Sequence, residues 1–188
     1  GKIKLGEFGI GSNKTIIGLP GARITSLRFG SARNVIFQNM IVKGGNDTVN
    51  TGGARNIWVD HCELSDGSDG VFDMTSATDL ITVSYTYFYY DRSGGHRNCI
   101  LVGNKDSATG DRGHNRVTFY KCWWGKRVSE RMPRVRYGDV HVLNCLYTSE
   151  DNVYCIAPGV EANIRAEHNI FINVNTALAA DWYNSTDC

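Results

Sequence analysis

Six stretches of the chain repeat one pattern of apolar and polar positions. They are NVIFQNMIV (34–42), NIWVDHCEL (56–64), LITVSYTYF (80–88), RVTFYKCWW (116–124), DVHVLNCLY (139–147) and NIRAEHNIF (163–171). Their second residues are Val35, Ile57, Ile81, Val117, Val140 and Ile164, separated by steps of 22, 24, 36, 23 and 24 residues. In the first five stretches the second and fourth positions are both apolar, a period of two that belongs to strands and not to helices. A repeat in the low twenties with one enlarged step marks a solenoid. That length holds three short strands and three bends, one coil of a parallel β-helix. Each strand then pairs with its counterpart one coil on, about 4.8 Å away. The pattern predicts an all-β, single-stranded parallel β-helix over 1–188, a single domain.

The overlay also predicts columns. The ninth positions read Val42, Leu64, Phe88, Trp124, Tyr147 and Phe171, an apolar and increasingly aromatic stack inside the coil. The seventh read Met40, Cys62, Thr86, Cys122, Cys145 and Asn169. Cys122 and Cys145 are expected as small core residues on adjacent coils, although stacked neighbours also fall within disulfide range. A second strand should follow each unit, with DTVNT (47–51), GVFDMTS (70–76), CILVG (99–103) and PRVRYG (133–138) as candidates. If these share one sheet, Asp47, Asp73, Asn98 and the cluster Arg131, Arg134, Arg136 come together on its outer face. Phe72 and Met74 point inward, so Asp73 points out. The 36-residue step carries YDRSGGHRN and KDSATGDRGHN, a charged, Gly-rich insertion suited to walling a groove.

Composition narrows the chemistry. With 20 Lys+Arg against 19 Asp+Glu the chain is near neutral, which argues against a general nucleic-acid binder. No apolar run approaches the roughly 18–20 residues of a membrane span. Six cysteines without a CxxC pair argue against zinc and fit an oxidising compartment. No signal-peptide pattern opens the chain, as in a mature or trimmed form. Three carboxylates, Asp47, Asp69 and Asp73, on one face offer the oxygen-rich setting that calcium prefers. Three adjacent guanidiniums suit an anionic polymer, because arginine binds carboxylates through two parallel hydrogen bonds. Alternatively, Asp69 and Asp73 only close a turn and pair with nearby arginines.

The motifs WxDH, DGxxD, LxG and RxPxxR occur here in NIWVDHCEL…DGVFDMTSATDLITVSYTYF, HRNCILVGNKD and RMPRVRYGDVHVLNCLY. In that order they resemble the pectate lyase family, polysaccharide lyases built on a right-handed parallel β-helix. The likeness covers roughly residues 12–173 and includes SNKTIIGLPGARI and ARNVIFQNMIV as early coils. It implies calcium-dependent β-elimination on α-1,4-linked polygalacturonate, leaving a 4,5-unsaturated product end. Asp47, Asp69 and Asp73 then match the calcium ligands, Arg131 the catalytic base, and Arg136 a substrate-carboxylate binder beside Arg134. Asp60 and His61 of WxDH match a structural network. The implied partner is acidic homogalacturonan of the plant cell wall, met by a secreted monomer with no nucleic-acid or membrane partner.

One departure is visible. Relatives carry a substrate-contacting lysine where this chain has Asn98, with Arg92 or Lys105 as compensating cations. The helix that caps the family's first coil is also missing, so a trimmed chain or an unusual cap is expected. Two other readings stay open: a calcium-independent lyase acting on methyl-esterified pectin, or a β-helix that binds acidic polysaccharide without cleaving it.

Overall fold

The computed structural model describes residues 6–180. Three seven-stranded parallel sheets wrap around one core, and consecutive strands pass from sheet to sheet. The first sheet contains Glu7–Gly9, Ser26–Arg28, Asp47–Gly52, Gly70–Thr75, Ile100–Val102, Arg134–Val135 and Ala157–Pro158. The second contains Lys14–Ile17, Arg33–Gln38, Arg55–Asp60, Asp79–Ser84, Val117–Tyr120, Asp139–Leu143 and Asn163–Glu167. The third runs Arg23–Ile24, Ile41–Lys43, Glu63–Ser65, Tyr87–Tyr89, Trp123–Trp124, Leu146–Tyr147 and Ile170–Phe171. The chain is a parallel β-helix, as the spacing predicts.

Register follows the overlay. Val35, Ile57, Ile81, Val117, Val140 and Ile164 pair successively across the second sheet. All but the partly buried Ile164 are buried. The ninth-position column pairs across the third sheet, from Val42 through Leu64, Phe88, Trp124 and Tyr147 to Phe171. Phe88, Trp124, Tyr147 and Phe171 stack face to face with centroids 5.4, 4.7 and 4.4 Å apart. Such a stack adds specific ring contacts to the area each aromatic removes from water. Trp124 is completely buried and Phe171 is 36 % exposed. Trp124→Ala is therefore expected to cost about 3–5 kcal/mol, and Phe171→Ala well under half of that. The separation of the two denaturant midpoints measures the difference.

One device was not foreseen. Asn39, His61, Tyr85, Lys121, Asn144 and His168, the sixth residue of every unit, all have positive φ between 47 and 58°. A single left-handed residue turns each coil sharply from the second sheet into the third. That conformation costs an L-residue about 1–2 kcal/mol, least for Asn, and the packed strands on either side enforce it. Cys62, Cys99, Cys122, Cys145 and Cys155 are buried free thiols. Cys122 and Cys145 are core neighbours, the backbone N–H of Cys122 donating to Cys145 Sγ at 3.4 Å, and they form no bridge.

Candidate active site

The first sheet, with its adjoining turns, carries the acids and arginines singled out by the sequence. Its inner row includes Leu27, Val49, Phe72 and Ile100, all fully buried. Strand alternation therefore turns the next row outward. That row reads Gly9, Arg28, Asn50, Asp73, Leu101, Arg134 and Ala157, each paired with the next. Asp47 lies beside Gly70 in the pairing, at the mouth of the strand.

The three acids converge around Gly70. A Cβ added there would stand 2.7 Å from Asp73 Oδ1 and 3.8 Å from Asp47 Oδ1, so glycine leaves the space both carboxylates overhang. The preceding turn is equally tight, since a Cβ on Gly67 would meet the Gly70 carbonyl oxygen at 1.9 Å. This turn brings the exposed Asp69 alongside, its N–H donating to the Asn46 carbonyl at 2.9 Å. The Asp73 carboxyl is pushed up to about 7 by burial and by the charge of Asp47, opposed by Arg131, with Asp69 adding to the rise. The Asp47 carboxyl is also raised, by burial and by Asp69, against an Asn50 hydrogen bond and the Arg28 charge. Asn50 Nδ2 donates to Asp47 Oδ2 at 2.9 Å, whereas the buried Asp47 Oδ1 accepts no hydrogen bond. Carboxylates held this way repel one another at a cost.

Among the described residues no group of three or more His, Cys, Asp or Glu side chains is arranged to hold a metal ion. The donor chemistry of Asp47, Asp69 and Asp73 nonetheless suits a hard cation. It offers oxygens only, one of them a buried carboxylate oxygen without a donor, above a floor kept clear by glycine. Calcium takes 6–8 oxygens, so such a set would hold it together with water and a ligand's own carboxylate.

The arginines divide. Arg131 is half-buried at the groove edge with φ +62°, and its backbone oxygen accepts from Ile100 N–H at 2.7 Å. Its Nε is 3.6 Å from Glu130 Oε1, the Tyr154 hydroxyl is within hydrogen-bonding reach of the guanidinium, and its charge acts on Asp73. Arg134 is buried in the outward row. Arg136 departs from the expectation of an open substrate binder. It is 2 % exposed, its Nε donates to Asp106 Oδ1 at 2.6 Å and its Nη1 to the Asn104 carbonyl at 3.3 Å. The insertion after Gly103 folds back over it, and that insertion has no counterpart in the repeat that could have signalled the burial.

Asn98 is also placed differently from the expectation. The direct sheet neighbour of Asp73 is Leu101, and Asn98, 9 % exposed, bridges to Glu130 beside Arg131. Its carbonyl accepts from the Tyr90 hydroxyl at 2.6 Å. Arg92 cannot compensate for the lysine, because its guanidinium donates to the carbonyls of Gly67, Gly94 and His96 and covers the Tyr90 ring. It clasps the loop to the acidic turn. Lys105 is exposed on the insertion. Asp60 accepts from Ser84, Gln38 and His61 on the second sheet, the expected structural network. Sequence reasoning missed Asn50, Tyr154 and Arg28, for which only the coil-to-coil register is a signal.

A family model described as pectate lyase matches residues 2–186. A probable pectate lyase B of Aspergillus flavus is 34 % identical over 154 residues, covering 74 % of this chain and 45 % of the relative. Pectate lyase B of Colletotrichum gloeosporioides is 32 % identical over 184 residues, covering 90 % of this chain and 54 % of the relative. The chain thus spans about half the length of the curated relatives it matches. A thermostable pectate lyase structure superposes with a TM-score of 0.80 at 26 % identity, over 94 % of this chain and 53 % of that one. The cedar-pollen allergen jun a 1 superposes with a TM-score of 0.78 at 22 % identity, over 95 % of this chain and 68 % of the allergen's. That last likeness shows the fold alone.

Proposed function

Because this chain belongs to the pectate lyase family, we propose that it cleaves polygalacturonate by calcium-dependent β-elimination, as a secreted monomer acting on plant cell-wall homogalacturonan. The observation that supports this best is the overhang of Asp47 and Asp73 above Gly70, with Asp69 beside them and Arg131 close enough to oppose the charge on Asp73. Calcium at those acids would hold a substrate carboxylate and offset the negative charge that grows as the adjacent C5 proton leaves.

The remaining work falls to side chains of this chain. In this reading Arg131 first loses a guanidinium proton to solvent and, as the neutral guanidine, takes the C5 proton, with Glu130 and Tyr154 beside it. The electron pair released at C5 forms the C4–C5 double bond as the C4–oxygen bond breaks, the departing oxygen takes a proton from water, and the 4,5-unsaturated end is left. Arg134, one coil beyond Leu101, is 3 % exposed and so, like Arg136, departs from the expectation of an open substrate binder. Arg136 contributes from beneath, holding the insertion in place through Asp106. The test is absorbance of unsaturated product on low- and high-ester pectin, with and without chelator. Activity on polygalacturonate that chelator removes supports the reading. Chelator-resistant activity on esterified pectin favours the calcium-independent lyase, and absence of product favours binding without cleavage.

Asn98 gives a further expectation. A lysine there gains a charge-assisted bond to a substrate oxygen, worth roughly 1.5 kcal/mol or more. Asn98→Lys should lower KM on polygalacturonate about tenfold, with a smaller change on highly esterified pectin. An unchanged KM on both would mean that the new ammonium pairs with Glu130, its neighbour across the bridge, and never reaches substrate.

A further inference from the structure

The acidic cluster has arginines on both sides along the helix axis. Arg134 lies two coils beyond Asp73 through Leu101, and Arg28 lies two coils before it through Asn50. Leu27 is fully buried, so alternation turns Arg28 out onto the groove floor. Its charge reaches Asp47, one of the proposed calcium ligands. Its guanidinium pairs with Glu7, and both side chains are about half exposed, at 42 % and 52 %. A solvent-exposed pair of this kind is weak, and the guanidinium exchanges readily onto another carboxylate. The next position of the row is Gly9, where an added Cβ would meet nothing within 4 Å, so the floor beyond Arg28 is bare.

We infer that Arg28 is a second carboxylate-binding point of the groove, taking a galacturonate unit two sugars away from the one held at Asp73 and Arg131. The inference rests on the substrate class proposed above. Two coils span about 9.6 Å. A 1,4-linked pyranose advances by a similar distance per unit as one coil, and in an extended chain carboxylates two units apart point to the same side. A chain seated with one carboxylate at the acidic cluster therefore brings another to Arg28. A dimer seated at the cluster ends before it reaches Arg28. Arg28 makes the protein discriminate by chain length, and Glu7 competes for the same guanidinium.

The test measures binding and turnover separately. Di- and hexagalacturonate are titrated calorimetrically in the presence of calcium, in an Arg131→Lys background that limits cleavage. The expected result is that Arg28→Gln lowers the hexamer-to-dimer affinity ratio about tenfold, while Glu7→Gln raises it. Lys14→Gln, which removes one charge from the second sheet, should leave the ratio unchanged. Equal loss for both oligomers in Arg28→Gln, or a fall in the ratio for Glu7→Gln, would show that Arg28 only balances local charge and would overturn the inference. Release of unsaturated product is followed in parallel with the native Arg131. If none appears while the binding ratio still falls, the lyase reading fails and the binding point stands.

Discussion

Arg131→Lys is expected to leave the β-helix folded and to lower kcat on polygalacturonate by about 10²–10⁴-fold, the range associated with loss of a positioned base. Lysine keeps the positive charge that acts on Asp73, so the acidic cluster should survive the exchange. It also tolerates φ +62° no worse than arginine does, since both bear a Cβ. What it loses is the planar fork, which lets one edge meet Tyr154 and Glu130 and, in the proposed role, would leave another for substrate. KM should shift only a few-fold. A kcat within tenfold of the native value would remove Arg131 from the role of base.

Asp73→Asn should raise the calcium concentration needed for half-maximal activity by one to two orders of magnitude, because it removes a charged oxygen from the cluster. Thermal melting provides a second readout independent of activity. The folded-state value of about 7 lies above the ordinary 3.8, so the fold favours the neutral acid. Ionisation therefore withdraws stability as pH rises from about 4 through 7, and that loss is complete above it. At pH 8 in chelator, Asp73→Asn should accordingly stabilise the protein by roughly 1–3 kcal/mol, since the neutral amide carries no buried charge. Added calcium should raise the melting temperature of the native protein more than that of the variant. Equal shifts for both would exclude Asp73 as a ligand.

The period-two alternation and the low-twenties repeat determined the architecture. A one-residue slip in a parallel coil would turn Val35, Ile57, Ile81, Val117 and Val140 from core to solvent, so register was legible wherever one face is apolar. The aromatic column followed from the same overlay, as did the side of the sheet on which Asp73 lies. The corners were not legible. Asn39, Asn144, His61 and His168 are types that favour the left-handed region, but Tyr85 and Lys121 are not, and at those corners the packing of two sheets forces the conformation.

The same limit applies at the site. Residue order placed Asp47, Asp69, Asp73 and Arg131 on one face, because strand alternation and coil stacking are local rules. It could not separate Arg131 at the groove edge from Arg136 beneath the insertion, although only four residues lie between them. Nor could it reveal Arg28 on the far side of the acids, since its neighbours there, Asn50 and Asp73, lie 22 and 45 residues away in sequence. Those placements depend on how a non-repeating loop folds back and on how many coils separate two charges. Both are properties of contacts between distant residues. The repeat determined which face each side chain takes, and only the tertiary structure decided which of the arginines meets solvent, acid or loop.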